Sequence, residues 1–225
     1  MIKVVLSGYG RMGRMIDEVL TERNIECVAK SEDITSVPSD LAHEAVCIDF
    51  TFPESFRKNY KWIADNFKAV VVGTTGWYDI KDEVFGYFRE KGTPMIWASN
   101  FSTGVIVLSA AVKLAAKLLK PTGDYTPYII EKHHCHKLDS PSGTAKTLAR
   151  DIEEEYLQTP EICSIRAGEI PGIHTIVFEG QQDRITLEHE AFSRVNLAEG
   201  AVQAALMTVG LSGVHEFKDL ILANI

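Results

Sequence analysis

Six residues near the start, Gly8-Tyr9-Gly10-Arg11-Met12-Gly13, constrain this chain more than any other feature. They follow a short β-branched run, Ile2–Leu6. They lead into Met12, Met15, Ile16, Val19 and Leu20, apolar residues at helical spacing. The first glycine permits a tight turn, the second lets the backbone approach a pyrophosphate, and the third lets helix and strand pack closely. N–H groups of the first helical turn then face the anion. This spacing predicts a strand–turn–helix unit that binds a dinucleotide; a glycine-rich turn that merely packs is the alternative. Such a unit calls for an acidic residue about twenty positions on, at the end of the second strand, to hold the adenine ribose diol. Glu32 and Asp33 are the candidates, with Glu32 preferred. Either carboxylate repels a 2′-phosphate and so favours NAD, whereas Lys30 is a nearby cation that could accommodate NADP.

The first hundred residues continue the alternation. Ile25–Ala29, Ala45–Phe50, Ala69–Val72 and Met95–Ala98 read as strands; Ser55–Asn66, Val84–Glu90 and Gly104–Leu119 read as helices. Strand–helix alternation of this kind implies an α/β fold, a Rossmann-type doubly wound parallel sheet, which binds ligands at the carboxyl ends of its strands. Gly73-Thr74-Thr75-Gly76 and Ser99-Asn100-Phe101 stand at such ends. Beyond residue 101 the pattern changes to Tyr128–Glu131, Cys163–Arg166, His174–Glu179 and Asp183–His189 as strands. The last two are joined by a turn-like Gly180-Gln181-Gln182 that suggests an antiparallel pair. Ser142–Tyr156 and Glu199–Val209 read as helices. The expected organisation is a dinucleotide-binding domain over 1–101 and a second α+β domain over 102–196 for substrate and oligomerisation. A C-terminal helix over 197–225 is expected to return to the first domain.

Charge narrows the partners. The 225 residues carry 23 Lys+Arg against 31 Asp+Glu, a formal net charge of −8. That balance argues against sequence-blind nucleic-acid binding, which needs a basic face, but it leaves room for a small anionic ligand in a local basic pocket. No apolar run approaches the ~20 residues of a membrane span, so no membrane association is expected. The amino-terminal apolar stretch is too short for a signal peptide. Cys27, Cys47, Cys135 and Cys163 are scattered without a Cys-x-x-Cys pair, poor material for disulfides. A reducing cytoplasm is the simplest location.

Three of the seven histidines fall within Glu131-Lys132-His133-His134-Cys135-His136-Lys137. If this segment is extended, His133, Cys135 and Lys137 share one face and His134 and His136 the other. A histidine and a lysine on one face make a proton-handling, anion-attracting pair. Immediately afterwards, Ser142 is a credible helix N-cap. Gly143 and Thr144 open that helix with N–H groups and a hydroxyl suited to a carboxylate. A metal at this segment is disfavoured, because neighbours on a strand point to opposite faces and zinc wants convergent ligands; no metal is expected.

The run from Glu131 through Asp139-Ser140-Pro141 to Ala145 closely resembles the signature of the 4-hydroxy-tetrahydrodipicolinate (dihydrodipicolinate) reductases. Gly8 to Gly13, Asp49-Phe50-Thr51, Gly73 to Gly76, Ala98 to Ser102, Ser164 to Gly168, Gly172-x-His174 and Asn196 to Ala201 resemble the same family in order. The resemblance implies NADH- or NADPH-dependent reduction of a small cyclic dicarboxylate in the diaminopimelate route to lysine. It also implies His133 as acid/base and Lys137 as proton donor, with His134, Gly143 and Thr144 at the substrate carboxylates. Gly8, Tyr9, Gly10, Arg11, Met12, Gly73, Thr74, Thr75, Ala98, Ser99, Asn100 and Phe101 would line the cofactor site. A homotetramer built on the second domain's sheet is implied, or a dimer in a chain this short. Two departures stand out: Lys30 to Glu44 is too short for a full strand–helix crossover, and Cys135 stands where relatives often carry Arg or Asn. Competing readings are another nicotinamide-dependent dehydrogenase of an amino-acid-like substrate and a non-catalytic NAD(H)-sensing protein.

Overall fold

The computed structural model describes residues 2–223, so the last two positions of the expected 197–225 segment lie outside the described residues. In chain order the elements are β1 (Lys3–Ser7), α1 (Arg11–Glu22), β2 (Glu26–Ser31), α2 (Ser39–Glu44), β3 (Ala45–Asp49), α3 (Pro53–Asn66), β4 (Ala69–Val72), α4 (Lys81–Lys91) and β5 (Met95–Trp97). There follow α5 (Thr103–Leu119), β6 (Thr126–His133), α6 (Gly143–Tyr156), β7 (Glu161–Arg166), β8 (Ile173–Glu179), β9 (Arg184–Glu190), α7 (Val195–Met207), β10 (Val214–Glu216) and α8 (Phe217–Leu222). The chain divides into two units: Met1–Ser102 together with Val195–Ile225, and Thr103–Arg194.

In the first unit six strands pair in the order β10-β5-β4-β3-β1-β2, all parallel. Strands β3 and β4 are buried at every position, and both read as apolar runs, broken only by Asp49 at the end of β3: a parallel sheet is covered on both faces. Aromatic packing of Phe56, Trp77 and Phe88 with Val70, Val72 and Cys47 fills the space around them. The short stretch between β2 and β3 holds one turn of 3-10 helix, Ile34–Ser36, and the six-residue α2. Among the described residues no strand pairs beyond β2, which leaves β2 as an edge. Two short closing elements, β10 and α8, escaped the sequence reading because three to six residues carry too little periodicity to register. Helix α7 also begins four residues earlier than read, at Val195.

The second unit is a four-stranded sheet in the order β7-β6-β8-β9. Strand β6 runs parallel to β7 and antiparallel to β8, and β8 runs antiparallel to β9. Leu108, Val112 and Ala116 of α5 and Leu148, Ala149 and Ile152 of α6 bury one face of this sheet against Ile129, Ile176 and Phe178.

One expectation is overturned here. The histidine–lysine segment is not extended: β6 ends at His133, and Cys135 and His136 form a turn in which Lys137 N–H donates to His134 O at 3.2 Å. The reason lies in its neighbours. Pairing with β7 ends at His133 opposite Arg166, and pairing with β8 ends at Lys132 opposite Ile173. Past that point no strand pairing continues on either side; His133 O and Cys135 N–H bond instead to Ala167 and Gly168 in the loop after β7. His133 and Lys137 therefore do not share a strand face.

The glycine turn sets a stability test. A Cβ on Gly13 would stand 2.2 Å from Gly8 O, whereas one on Gly86, exposed within α4, meets nothing within 4 Å. In urea melts Gly13→Ala is expected to lower the unfolding free energy by about 1–3 kcal/mol. Gly86→Ala should raise it by about 0.5–1 kcal/mol, through lost backbone entropy alone.

Candidate active site

At the carboxyl edge of the first sheet, Gly8, Gly10, Arg11, Met12, Glu32, Gly73, Thr74 and Thr75 line one cavity of about 340 Å³, joined by Phe50, Thr51, Phe52 and Ser55. The glycines differ in purpose. Gly13 is required by packing, but a Cβ on Gly10 would meet nothing within 4 Å. Its bare backbone faces the open cavity at the start of α1, where a diphosphate has room to reach the helix N-terminus. Glu32 lies beside this turn and accepts the Tyr9 N–H at 2.9 Å. Asp33 is spent elsewhere, capping the 3-10 turn through Thr35 N–H at 3.2 Å and the Thr35 hydroxyl at 2.7 Å. Lys30 Nζ is paired with Asp17 at 2.6 Å, and the Tyr9 hydroxyl donates to the same carboxylate oxygen at 2.6 Å. Phe52, 77% exposed, presents its ring at the rim.

A residue that sequence reasoning left without a role organises this edge. Asp49, 1% exposed at the end of β3, accepts hydroxyl hydrogen bonds from Ser7 at 2.6 Å, Thr74 at 2.5 Å and Thr51 at 3.1 Å. Its carbonyl accepts Gly73 N–H at 2.9 Å. Burial pushes its carboxyl up, and the three hydroxyls oppose that shift. The signal was present in the sequence: an acid closing an otherwise apolar strand. The Ala98–Phe101 segment stands apart from the lining of this cavity. Ala98 N–H continues the ladder to Val72 O at 3.2 Å, Asn100 Oδ1 accepts Ser102 N–H at 2.8 Å, and Ser99 is exposed. Phe101 is buried between Phe50 and Phe217, with ring centroids 5.8 and 5.1 Å away.

In the second unit, strand register builds the site. Ile129, Glu131 and His133 alternate onto the buried face of β6. Across the ladders Glu131 stands opposite His174, and His133 opposite Arg166. Glu131 has no exposed surface. Its carboxylate accepts from Arg166 Nη2 at 2.7 Å and bonds His133 Nδ1. Burial alone would raise its carboxyl; these hydrogen bonds, led by that of Arg166, prevail and hold it at about 2. Burial lowers His133, with Glu131 opposing and Lys137 and Arg166 adding to the fall. The ring is therefore neutral near pH 7, with Nδ1–H donating to the Glu131 carboxylate and the lone pair on Nε2.

Ser142 caps α6 by accepting Ala145 N–H at 3.2 Å. Its hydroxyl proton is then free for His174 Nε2, also at 3.2 Å. Burial, with His133 next in weight, lowers His174 to about 4. Gly143 and Thr144 follow at the open start of the helix. Lys137 Nζ donates to Asp139 Oδ1 at 2.6 Å, and this bond chiefly lowers the Asp139 carboxyl. Arg166 also donates to Asp139 O at 2.7 Å. His134 is half-buried, with Nδ1 enclosed and without a protein partner. Sequence reasoning left Glu131, Arg166 and His174 without a role: Glu131 precedes His133 by two on the same strand face, and pairing across strands brings Arg166 and His174 to them.

Two family models cover nearly all of the chain: dihydrodipicolinate reductase N-terminus over residues 2–101 and dihydrodipicolinate reductase C-terminus over residues 104–221. The chain belongs to the dihydrodipicolinate reductase family. A 4-hydroxy-tetrahydrodipicolinate reductase of Christiangramia forsetii is 35% identical over 233 residues, covering 98% of each chain. One from Acinetobacter baylyi is 31% identical over 261 residues, covering 96% of this chain and 94% of its own. Among solved structures, the dipicolinate-bound dihydrodipicolinate reductase from Paenisporosarcina sp. TG-14 superposes with a TM-score of 0.80 at 23% identity, covering 97% of this chain and 99% of that one. No helix among the described residues is long and apolar enough to cross a membrane.

The buried charges make acid stability a readout of the second unit. His174 protonates near 6.5 when unfolded and near 4 when folded. Between those values the unfolded chain binds more protons, so stability falls as pH drops. Glu131 extends the loss from 4.5 down to about 2. Urea unfolding across this range should show a falling acid limb. Subtracting the His174→Gln profile isolates the part between pH 6.5 and 4, and a zero difference there contradicts the assignment.

Proposed function

We propose that this chain reduces 4-hydroxy-tetrahydrodipicolinate, or the dihydrodipicolinate formed by its dehydration, to tetrahydrodipicolinate with NADH or NADPH, a step of lysine biosynthesis. The observation that carries this reading is the cluster in the second unit: a neutral histidine held by a buried carboxylate, an ammonium within its electrostatic reach, and an open helix N-terminus. A ring dicarboxylate needs cationic and N–H partners for its two anions, and its reduction needs one proton per hydride.

When bound at the glycine turn, the dinucleotide supplies the hydride. The protein supplies the rest. Lys137 Nζ, released from Asp139 by a substrate carboxylate that replaces it, delivers the proton that quenches the negative charge built on the ring. His133 Nε2 serves as the acid/base, its tautomer set by Glu131. Ser142, Gly143 and Thr144 hold one carboxylate at the start of α6, where the helix dipole favours an anion, and His134 meets the substrate carboxylates alongside. Loss of a positioned general acid costs about two to four orders of magnitude in rate. Lys137→Ala should therefore lower kcat by that amount in a synthase-coupled assay, with dinucleotide affinity unchanged by fluorescence titration. Turnover that survives the change would sink the assigned role.

The cofactor preferred is NADH. Glu32 places a carboxylate beside the glycine turn, where it would repel a 2′-phosphate, and Lys30 is already neutralised by Asp17. Glu32→Ala should weaken NADH binding by about tenfold or more, the worth of a hydrogen bond to a charged group, and leave NADPH binding unchanged or improved. Assembly as a homotetramer through the sheet of the second unit, or as a dimer, and a cytoplasmic location complete the proposal. The helices α5 and α6 cover one face of that sheet, and Ile165 of β7 is 43% exposed.

A further inference from the structure

Outside the groups assigned to reduction, three metal-ligating side chains converge beyond the end of β6. Cys135 Sγ, His136 Nε2 and a Glu169 carboxylate oxygen all lie within 4.8 Å of one another. His136 Nε2 is 3.5 Å from Glu169 Oε1, close to the roughly 3.4 Å that separates two ligands each ~2.0–2.1 Å from a tetrahedral ion. On a strand, neighbours point to opposite faces and could not share one ion. In the turn that replaces the strand, that objection lapses.

The backbone already fixes the two loops that carry these groups. Cys135 N–H donates to Gly168 O at 3.1 Å, and Ala167 N–H donates to His133 O at 2.9 Å. All three residues are exposed, and the Cys135 thiol is free. An ion therefore reaches them from solvent, and closing the site takes only side-chain rotation. The second cluster of this kind, Glu131 with His133 and His174, differs: its carboxylate is held by Arg166 and His133. A thiolate, an imidazole and a carboxylate together suit zinc rather than magnesium or calcium, which take oxygen ligands.

We propose that Cys135, His136 and Glu169 bind a zinc-class divalent cation, with water as the fourth ligand, and that its occupancy slows the reductase. On binding, the Cys135 thiol releases its proton to solvent and the sulfur–metal bond forms, with no change of oxidation state. Lys137 lies two residues along the same turn, its N–H bonded to His134 O. A bound ion adds side-chain links from Cys135 and His136 to Glu169 beside the one backbone bond between Cys135 and Gly168, and so stiffens the turn from which Lys137 must leave Asp139 for substrate. The metal site is independent of the functional reading above; the inhibitory half rests on it.

The full-length chain, stripped of metal and kept reduced by a non-thiol reductant, is titrated with cobalt(II). The expected result is one equivalent bound, with a near-ultraviolet thiolate-to-cobalt charge-transfer band that zinc displaces. Cys135→Ser should abolish the band, and Glu169→Gln should weaken binding by about tenfold or more. No band, or a band that survives Cys135→Ser, overturns the site. One equivalent of zinc should then slow NADH oxidation several-fold in the native chain and leave Cys135→Ser at its metal-free rate. Binding without slowing overturns the link to Lys137. Absence of turnover in every metal-free form would overturn the reductase reading, and the cobalt band would still decide the site.

Discussion

A single carboxylate without solvent gathers the nucleotide edge of the first unit. Asp49 receives hydroxyls from the end of β1, from its own loop and from the loop after β4. A buried anion must be met by donors or it neutralises; here two of the donor hydroxyls, Thr51 and Thr74, belong to loops that line the cavity. Satisfying the charge and shaping the site are thus one requirement. The glycine turn, the Phe50–Phe52 segment and the Gly73–Thr75 loop are held in register by it, and parallel pairing delivers all of them to the same edge.

The second unit meets the same problem with the opposite means. Glu131 is equally buried, but here a guanidinium and an imidazole meet it. This keeps it ionised, and the ionised carboxylate in turn dictates which nitrogen of His133 carries the proton. Arg166 reaches on to the carbonyl of Asp139, and Asp139 holds Lys137, so one chain of charge-assisted bonds runs from the sheet to the turn. Near this chain the cap of α6 and His174 share the single hydroxyl of Ser142. His133, Arg166 and Lys137 are therefore tied into one network through Glu131 and Asp139.

Much of this was legible in order along the chain. Gly8 to Gly13 after a β-branched run announced the turn, the apolar runs of β3 and β4 announced a covered parallel sheet, and Ser142 announced a helix start. Each is a local signal: a steric need, a burial pattern or a cap. What escaped was either short or non-local. The elements α2, β10 and α8 span only three to six residues. The choice between Glu32 and Asp33 hung on a turn cap that adjacency alone could not assign. The end of β6 at His133 was invisible because it depends on where β7 and β8 stop pairing, at Arg166 and Ile173, roughly thirty to forty positions away.

By itself the sequence determined the alternation of elements, the glycine turn, the family signature and the residue types that carry charge, because these depend on spacing and side-chain chemistry within a few positions. Only the tertiary structure decided which charges meet. Strand pairing set Arg166 and His174 about Glu131 and His133, and a lost ladder turned a presumed strand into the bend that carries Cys135, His136 and Lys137. The physical reason is that protonation state and ligand geometry depend on distances between residues far apart in the chain, and those distances exist only once the sheets have formed.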